Sequence, residues 1–199
     1  MRITVSTFLT LDGIMVGPDE DVSWVIEGFD REMAEDVALD MSRDSEAFLL
    51  GRVTYEIFAA YWPHAIPYDA SDALAPAEGK EDPRIINALN EYPKYVFSTT
   101  LPEQEWNNTR VLRGGLEDEV RRLKAQPGRA VNIQGSASIV QALTRADLID
   151  EYHLYVHPVL LGAGKPLFVD IARQDLELTA HKRYANGVLS TTYARRAPS

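Results

Sequence analysis

The apolar and polar positions of the chain fall into short segments with two different periods. From Arg2 to Leu9 they alternate, with Ile3, Val5 and Thr7 on one side, which predicts an opening strand. Phe29, Met33, Val37 and Met41 recur every four residues. They predict one face of a helix that begins near Asp30, a good N-cap. Ala47 to Leu50 reads as a short buried strand, and a helix from Arg52 to about Tyr61 follows at once. Residues 62–92 are loop-rich, apart from a short helix predicted over 83–90. "KYVFSTTL" is the next strand, rich in β-branched and aromatic residues, and residues 110–112 form a short one. Leu116, Val120 and Leu123 mark a helix stopped by Pro127 and Gly128, with Glu117–Arg121 and Asp118–Arg122 spaced to support it.

The stretch "AVNIQGSASIVQALTRADLIDEYHLYVHPVLLGAGKPLF" reads as strand, glycine turn, helix, strand and a second glycine-rich turn. Two more strands are expected between Leu176 and Ala194, joined at Asn186-Gly187, a strong hairpin signal. Strands alternating with helices imply an α/β fold around a mostly parallel sheet, and the closing hairpin implies an antiparallel edge. No repeat and no linker divides the sequence, so a single domain over residues 1–199 is expected.

Composition adds mainly exclusions. The chain has 199 residues, 45% of them hydrophobic and 25% charged, enough for one sizeable core. No run approaches the ~20 apolar residues of a membrane span, and the N-terminus lacks a signal peptide's apolar core, so a cytoplasmic location is expected. With no cysteine, disulfides, thiolate zinc sites and a cysteine nucleophile are excluded. The net charge of −10 is concentrated in residues 1–50, which hold 12 acids and 3 bases. That field argues against a nucleic-acid surface but leaves room for a small anion held by local arginines. The acids between Asp19 and Glu46 read as a solvated helix face; a general acid among them is the minority alternative.

Two places join the end of a strand to the start of a helix through glycine, "LLGRVTYEIF" and "VNIQGSASIV". Exposed backbone N–H groups and the positive end of the helix dipole suit such junctions to anions, and ligands of open α/β sheets gather at these strand ends. Gly135, Ser136, Ala137 and Ser138 would let a pyrophosphate approach, and Arg52 offers a planar cation for a second phosphate. Ser98 and Thr99 add hydroxyls at the end of a third strand. Taken singly, each feature is also explained by helix capping or a salt bridge; together they point to a phosphate-bearing ligand. "GAGKPLF" lacks the spacing and the Ser/Thr of a P-loop, and "GSAS" is not a nucleophile elbow. The four histidines, His64, His153, His157 and His181, lack metal-ligand spacing, and His153 and His157 read as strand-surface or core residues.

With these pieces in order, the chain resembles the dihydrofolate reductase superfamily. It is most similar to the branch typified by the C-terminal reductase domain of the bacterial bifunctional riboflavin-biosynthesis deaminase/reductase. "STFLTLDGIM", "LLGRVTYEIFAAYWP", "KYVFSTTL", "VNIQGSASIVQAL" and "LIDEYHLYVHPVLLGAGKPLF" carry the likeness over most of the chain. The resemblance implies a three-layer fold with helices on both faces of the sheet, NADPH as cofactor, and hydride transfer to a small planar heterocycle, pterin- or pyrimidine-like. It implies that Arg52 and Ser98, with Thr99 beside it, reach the 2′-phosphate, that Thr54 lies near the phosphates, and that Gly135, Ser136 and Ala137 form the pyrophosphate turn. Thr10, Asp12 and Gly13 match the start of the loop that closes over nicotinamide and substrate. Trp24, in an enlarged loop, is either an aromatic wall for a flat substrate or a loop anchor. Asp30 is the nearest counterpart of the family's carboxylate, and ordered water is the other proton source. The zinc deaminase half of the bifunctional enzyme has no counterpart in this cysteine-free sequence. The implied activity is that of an NADPH-dependent oxidoreductase of the dihydrofolate reductase or 5-amino-6-(5-phosphoribosylamino)uracil reductase kind, in a homodimer. The alternatives are a nucleotide-binding or scaffold protein without turnover, and a flavin-binding protein on the same fold.

Overall fold

The eight strands predicted from the sequence form and join in one sheet. The computed structural model describes residues 1–29, 31–68, 80–102 and 106–196, so Asp30, the expected N-cap, lies outside the described residues. In chain order the strands are β1 (Arg2–Thr10), β2 (Ile14–Val16), β3 (Ala47–Gly51), β4 (Ile66–Pro67), β5 (Lys80–Glu81), β6 (Lys94–Phe97), β7 (Thr109–Leu112), β8 (Ala130–Gln134), β9 (Glu151–His157), β10 (Lys165–Pro166), β11 (Leu176–Arg183) and β12 (Leu189–Arg195). The helices are α1 (Ser23–Glu27), α2 (Arg31–Leu39), α3 (Arg52–Tyr61), α4 (Pro83–Glu91), α5 (Leu116–Lys124) and α6 (Ala137–Arg145).

The sheet order is β11-β12-β9-β1-β8-β3-β6-β7, parallel from β9 through β7 and antiparallel over the hairpin β11–β12. Connections from β1 and β3 step toward β7, whereas the connection from β8 steps back past β1 to β9. The chain therefore reverses its direction of travel around β1, the place where such sheets open a crevice at the strand ends. Parallel strands need cover on both faces. On one face Ile3, Val5, Leu49, Val131 and Ile133 pack against Val120, Leu123, Val140 and Leu143 of α5 and α6. On the other, Phe48, Leu50, Val96 and Tyr155 pack against Met33, Val37, Tyr55 and Leu89 of α2, α3 and α4.

Departures from the sequence reading have local causes. The periodic helix stops at Leu39 and continues as one wide π-type turn, Asp40–Asp44, in which the Ser42 hydroxyl donates to the Ala38 carbonyl at 2.6 Å. Strand β6 ends at Phe97 because the Ser98 hydroxyl accepts the N–H groups of Thr100 and Leu101 and turns the chain. Arg122 pairs with Glu119 at 2.9 Å, one residue closer in sequence than the expected Asp118, while Glu117–Arg121 forms as read. Strand β9, whose histidines the sequence leaves as surface or core, is interior, and its Tyr152, Leu154 and Tyr155 are core. The strand at that free edge is β11, whose Leu178 is 48% exposed. Short β2 pairs with β10, and Gly164 permits it: a Cβ there would lie 2.3 Å from the Val16 carbonyl oxygen.

Lys94 opens β6 fully buried, which would be costly for an unpaired ammonium. Its Nζ donates to the carbonyls of Leu89, Tyr92 and Asn90 at 2.7, 2.9 and 3.2 Å and lies 4.6 Å from the centre of the Trp106 ring. The side chain thus caps the C-terminus of α4, where orphan carbonyls favour a cation. Burial pulls its pKa down to about 8, which leaves it mostly charged at neutral pH. Lys94→Met is expected to lower the unfolding free energy by about 1–3 kcal/mol through the abandoned carbonyls. A urea melt with an unmoved midpoint would refute that role.

Candidate functional site

Strands β3 and β8 are parallel neighbours, Leu49 opposite Ile133, so their exits into α3 and α6 lie side by side. Ser136, at the N-cap of α6, takes a left-handed backbone with φ 58°. Its hydroxyl accepts the Gly51 N–H at 2.8 Å and lies 3.0 Å from the Thr54 hydroxyl. The group that could have capped α6 is thereby used on the neighbouring junction, and neither α3 nor α6 has a side-chain N-cap. Two helix N-termini with unsatisfied N–H groups therefore meet at one locked point. The lock depends on missing side chains. A Cβ on Gly51 would sit 2.6 Å from Ser136 Oγ, and Gly135, at φ +62°, leaves only 3.0 Å to Thr54 Oγ1.

Arg52 is the first residue of α3 and is about half exposed; its Nη1 contacts both carboxylate oxygens of Glu56 at 3.0 Å. An exposed pair of this kind is weak and leaves the guanidinium available. Ser98 follows β6, which pairs with β3 so that Phe97 lies opposite Gly51; Ser98 is buried in the turn, and Thr99 beside it is exposed. Arg113, which the sequence reading did not single out, reaches back from the end of β7 to the carbonyls of Thr99 and Leu101 at 3.4 and 2.5 Å. Ala137 is half-buried and Ser138 exposed in the first turn of α6. The structure thus gathers Arg52, Thr54, Ser98, Thr99, Gly135, Ser136, Ala137 and Ser138 at the C-terminal ends of β3, β6 and β8, one end of the sheet.

Thr10, Asp12 and Gly13 have structural work in the turn after β1. The buried Thr10 hydroxyl donates to Asp12 at 2.5 Å and accepts the Ile14 N–H at 2.9 Å. The Asp12 carboxylate accepts the N–H groups of Gly162 and Leu161 at 2.7 and 3.4 Å, fastening this turn to the loop after β9. The Thr10 hydroxyl and the Gly162 N–H hold the Asp12 carboxyl below its usual pKa range. Trp24, on α1, is buried and meets His157 edge-on at 5.1 Å. Its packing is that of a loop anchor.

A larger feature escaped the sequence reading. Side chains of one parity on the three central strands share the face beneath α2, as Phe8 and Tyr155 show by packing there. On that face the register places Asn132, Thr4 and Glu151 in one row and Gln134, Ser6 and His153 in the next. Asn132 donates to Thr4 Oγ1 at 3.0 Å, and Gln134 donates to Asn132 Oδ1 at 2.7 Å. A sheet centre buried on both faces is ordinarily apolar. Here six polar side chains tile one face, below the strand ends that carry Gly51 and Gly135. The signal was present as matching alternation in "RITVSTFLT", "AVNIQ" and "EYHLYVH".

The acids of α2 are also more engaged than a solvated face would be, because the polar rows and the hairpin offer partners. Asp40 accepts the Tyr155 hydroxyl at 2.6 Å and faces His153 Nδ1 at 3.5 Å, and Glu151 meets His153 Nε2 at 2.6 Å. Asp36 accepts the Tyr184 hydroxyl at 2.7 Å and Lys182 at 2.6 Å. All of these groups but Glu151 line a cleft of about 410 Å³ between the end of α2 and strands β9, β11 and β12. Burial opposes charge on His153, but its bonds to Asp40 and Glu151 outweigh burial and raise its pKa to about 9. A histidine raised from 6.5 to about 9 contributes stability that is complete below pH 6.5 and is lost as pH rises through 9. The wild type is therefore expected to lose about 2–3 kcal/mol relative to His153→Gln between those limits. Parallel denaturation curves for the two proteins across that window would rule this out.

The whole chain can be compared with known proteins. The model of the RibD C-terminal domain family matches residues 1–190. YyaP of Bacillus subtilis (strain 168), an uncharacterised protein, is 29% identical over 193 residues, 96% of this chain and 94% of that protein. YwjB of the same organism, also uncharacterised, is 26% identical over 181 residues, 90% of each chain. The crystal structure of a putative riboflavin biosynthesis protein from Shewanella sp. PV-4 superposes with a TM-score of 0.76 at 20% identity, over 99% of this chain and 100% of that one. The deaminase/reductase of Thermotoga maritima superposes with a TM-score of 0.63 at 11% identity, over 98% of this chain but 56% of that one. At these identities the two structures speak for the fold, an eight-stranded sheet with helices on both faces. The family match over residues 1–190 shows that this chain belongs to the RibD C-terminal domain family, and its motifs resemble those of the dihydrofolate-reductase-like superfamily.

Proposed function

We propose that this protein is an NADPH-dependent reductase that passes hydride to a small planar heterocycle of the pyrimidine or pterin type. The observation that carries the reading is the lock between Gly51, Ser136 and Thr54, which leaves two helix N-termini uncapped at adjacent strand ends. Membership of a reductase-like family supports an oxidoreductase. Gly135, Ser136, Ala137 and Ser138 would hold the pyrophosphate. Arg52, with Ser98, Thr99 and Arg113 beside it, would hold the 2′-phosphate, and Thr54 would fix the turn between them.

When bound, NADPH supplies the hydride; the protein contributes binding, orientation and shielding from water. The polar face of β1, β8 and β9 supports a substrate with several hydrogen-bonding edges, as a pyrimidine or pterin has. Glu151 and Asp40, the acids that reach this face, are both engaged by His153, so the proton is assigned to ordered water. The reading extends to one cytoplasmic domain that dimerises through the free edge of β11. Sedimentation velocity is expected to give twice the 22.3 kDa chain mass, and a 22.3 kDa species would reject the dimer.

Calorimetric titration with NADPH and with NADH tests the cofactor assignment. NADPH is expected to bind far more tightly, and Arg52→Ala to weaken NADPH by about 1.5–3 kcal/mol, the worth of a charged hydrogen bond, with little effect on NADH. Equal losses for both nucleotides would remove Arg52 from the 2′-phosphate. Failure of either to bind would favour a scaffold without turnover.

A further inference from the structure

Two nitrogens at the top of β9 lack partners that burial should have given them. His157 is 1% exposed and Trp24 5% exposed, yet neither His157 Nε2 nor Trp24 Nε1 has a hydrogen-bond partner. Buried polar atoms are rarely left in this state, and an unpartnered one calls for a specific explanation. His153, four residues earlier on the same strand face, shows what a structural histidine does here: Glu151 and Asp40 take up its two nitrogens.

Aromatic rings and backbone enclose the pair. His157 lies opposite Thr10 at the exit of β1, on the face that carries the polar rows and at the same end of the sheet as Gly51 and Gly135. Phe8 stands 5.9 Å from the imidazole and 5.7 Å from Phe29, in edge-on contacts. Residues 23–28 lie over it. The backbone of Gly28 rests on the imidazole so closely that a Cβ would lie 2.6 Å from His157 Nδ1. This cover is lightly fastened: Asn186 donates to the Gly28 carbonyl at 2.7 Å, while Ile26 and Val22 on α1 are 74% and 44% exposed.

We propose that His157 is a substrate-binding residue, whose unpaired ring nitrogen hydrogen-bonds the carbonyl or ring-nitrogen edge of a planar heterocycle once residues 23–28, Trp24 among them, swing aside. Burial keeps the imidazole neutral, which suits it to a heterocycle without charge. The inference rests on the reductase reading and adds a residue that recognises the acceptor.

The test uses the full chain saturated with NADPH and three probes, uracil, 5,6-diaminouracil and lumazine, titrated by calorimetry and by the indole N–H resonance of Trp24. At least one probe is expected to bind and to shift that resonance. His157→Phe should weaken the best probe at least about tenfold, the loss expected for one buried hydrogen bond. His157→Gln, which restores an N–H near the Nε2 position, should recover most of the affinity. Both variants should bind NADPH like the wild type, and His157→Phe should melt no lower, since it removes an unpaired polar atom. Equal probe affinity in His157→Phe would overturn the proposal, as would an unmoved Trp24 resonance or no binding by any of the three. If NADPH itself fails to bind the wild type, the reductase reading falls separately.

Discussion

The hydrogen bond from the Gly51 N–H to the Ser136 hydroxyl joins two strand ends that the chain visits 85 residues apart. It requires glycine at 51, a left-handed backbone at 136 and a glycine at 135 that makes room for Thr54. These demands fix where α3 and α6 begin and in which direction their first turns point. The local cost is real, since a non-glycine residue at positive φ is strained and a potential helix cap is diverted. Strain of this kind persists where the surrounding structure over-determines it, and here two neighbouring parallel strands do so.

The sheet divides its labour by face. Toward α5 and α6 it is apolar, and that side is held chiefly by burial, with the Thr144–Tyr152 hydroxyl bond and the Lys124–Asp150 pair beside it. Toward α2 its central strands are polar, and the helix above them is secured by Asp36 and Asp40 reaching to Lys182, Tyr184, His153 and Tyr155. Burial and the carboxylates push the pKa of both tyrosine hydroxyls upward, so they remain donors throughout the physiological range. The ionisable groups of the α2 layer are thus tied to one another and form a network between layers.

Much of the fold was legible because it rests on local periodicity. Strand alternation, four-residue spacing, the Pro127-Gly128 stop and the Asn186-Gly187 turn each act within a few residues. Features that depend on partners distant in sequence were not legible. Lys94 looks like an ordinary surface lysine until α4 presents its carbonyls, and β9 is not placed inside the sheet until β12 pairs beside it. The paired strand-to-helix junctions were legible through their two glycines, yet the diversion of Ser136 away from its own helix was not. The polar rows were written in three strands, but recognising them required the register that brings those strands together. Nothing in one sequence separates an unpartnered His157 from a satisfied one.

The division by face also shapes how the molecule comes apart. Sub-global opening begins where apolar contact is sparse and hydrogen bonds are solvent-accessible. Residues 18–28 meet that description, with Trp24 their only buried side chain. Their opening would leave all six parallel strands folded. The layer of α2, by contrast, is held both by burial of Met33, Val37, Ala38 and Met41 and by ion pairs that salt can screen. Access to the floor and cohesion of the whole are set by different forces on opposite sides of the same sheet.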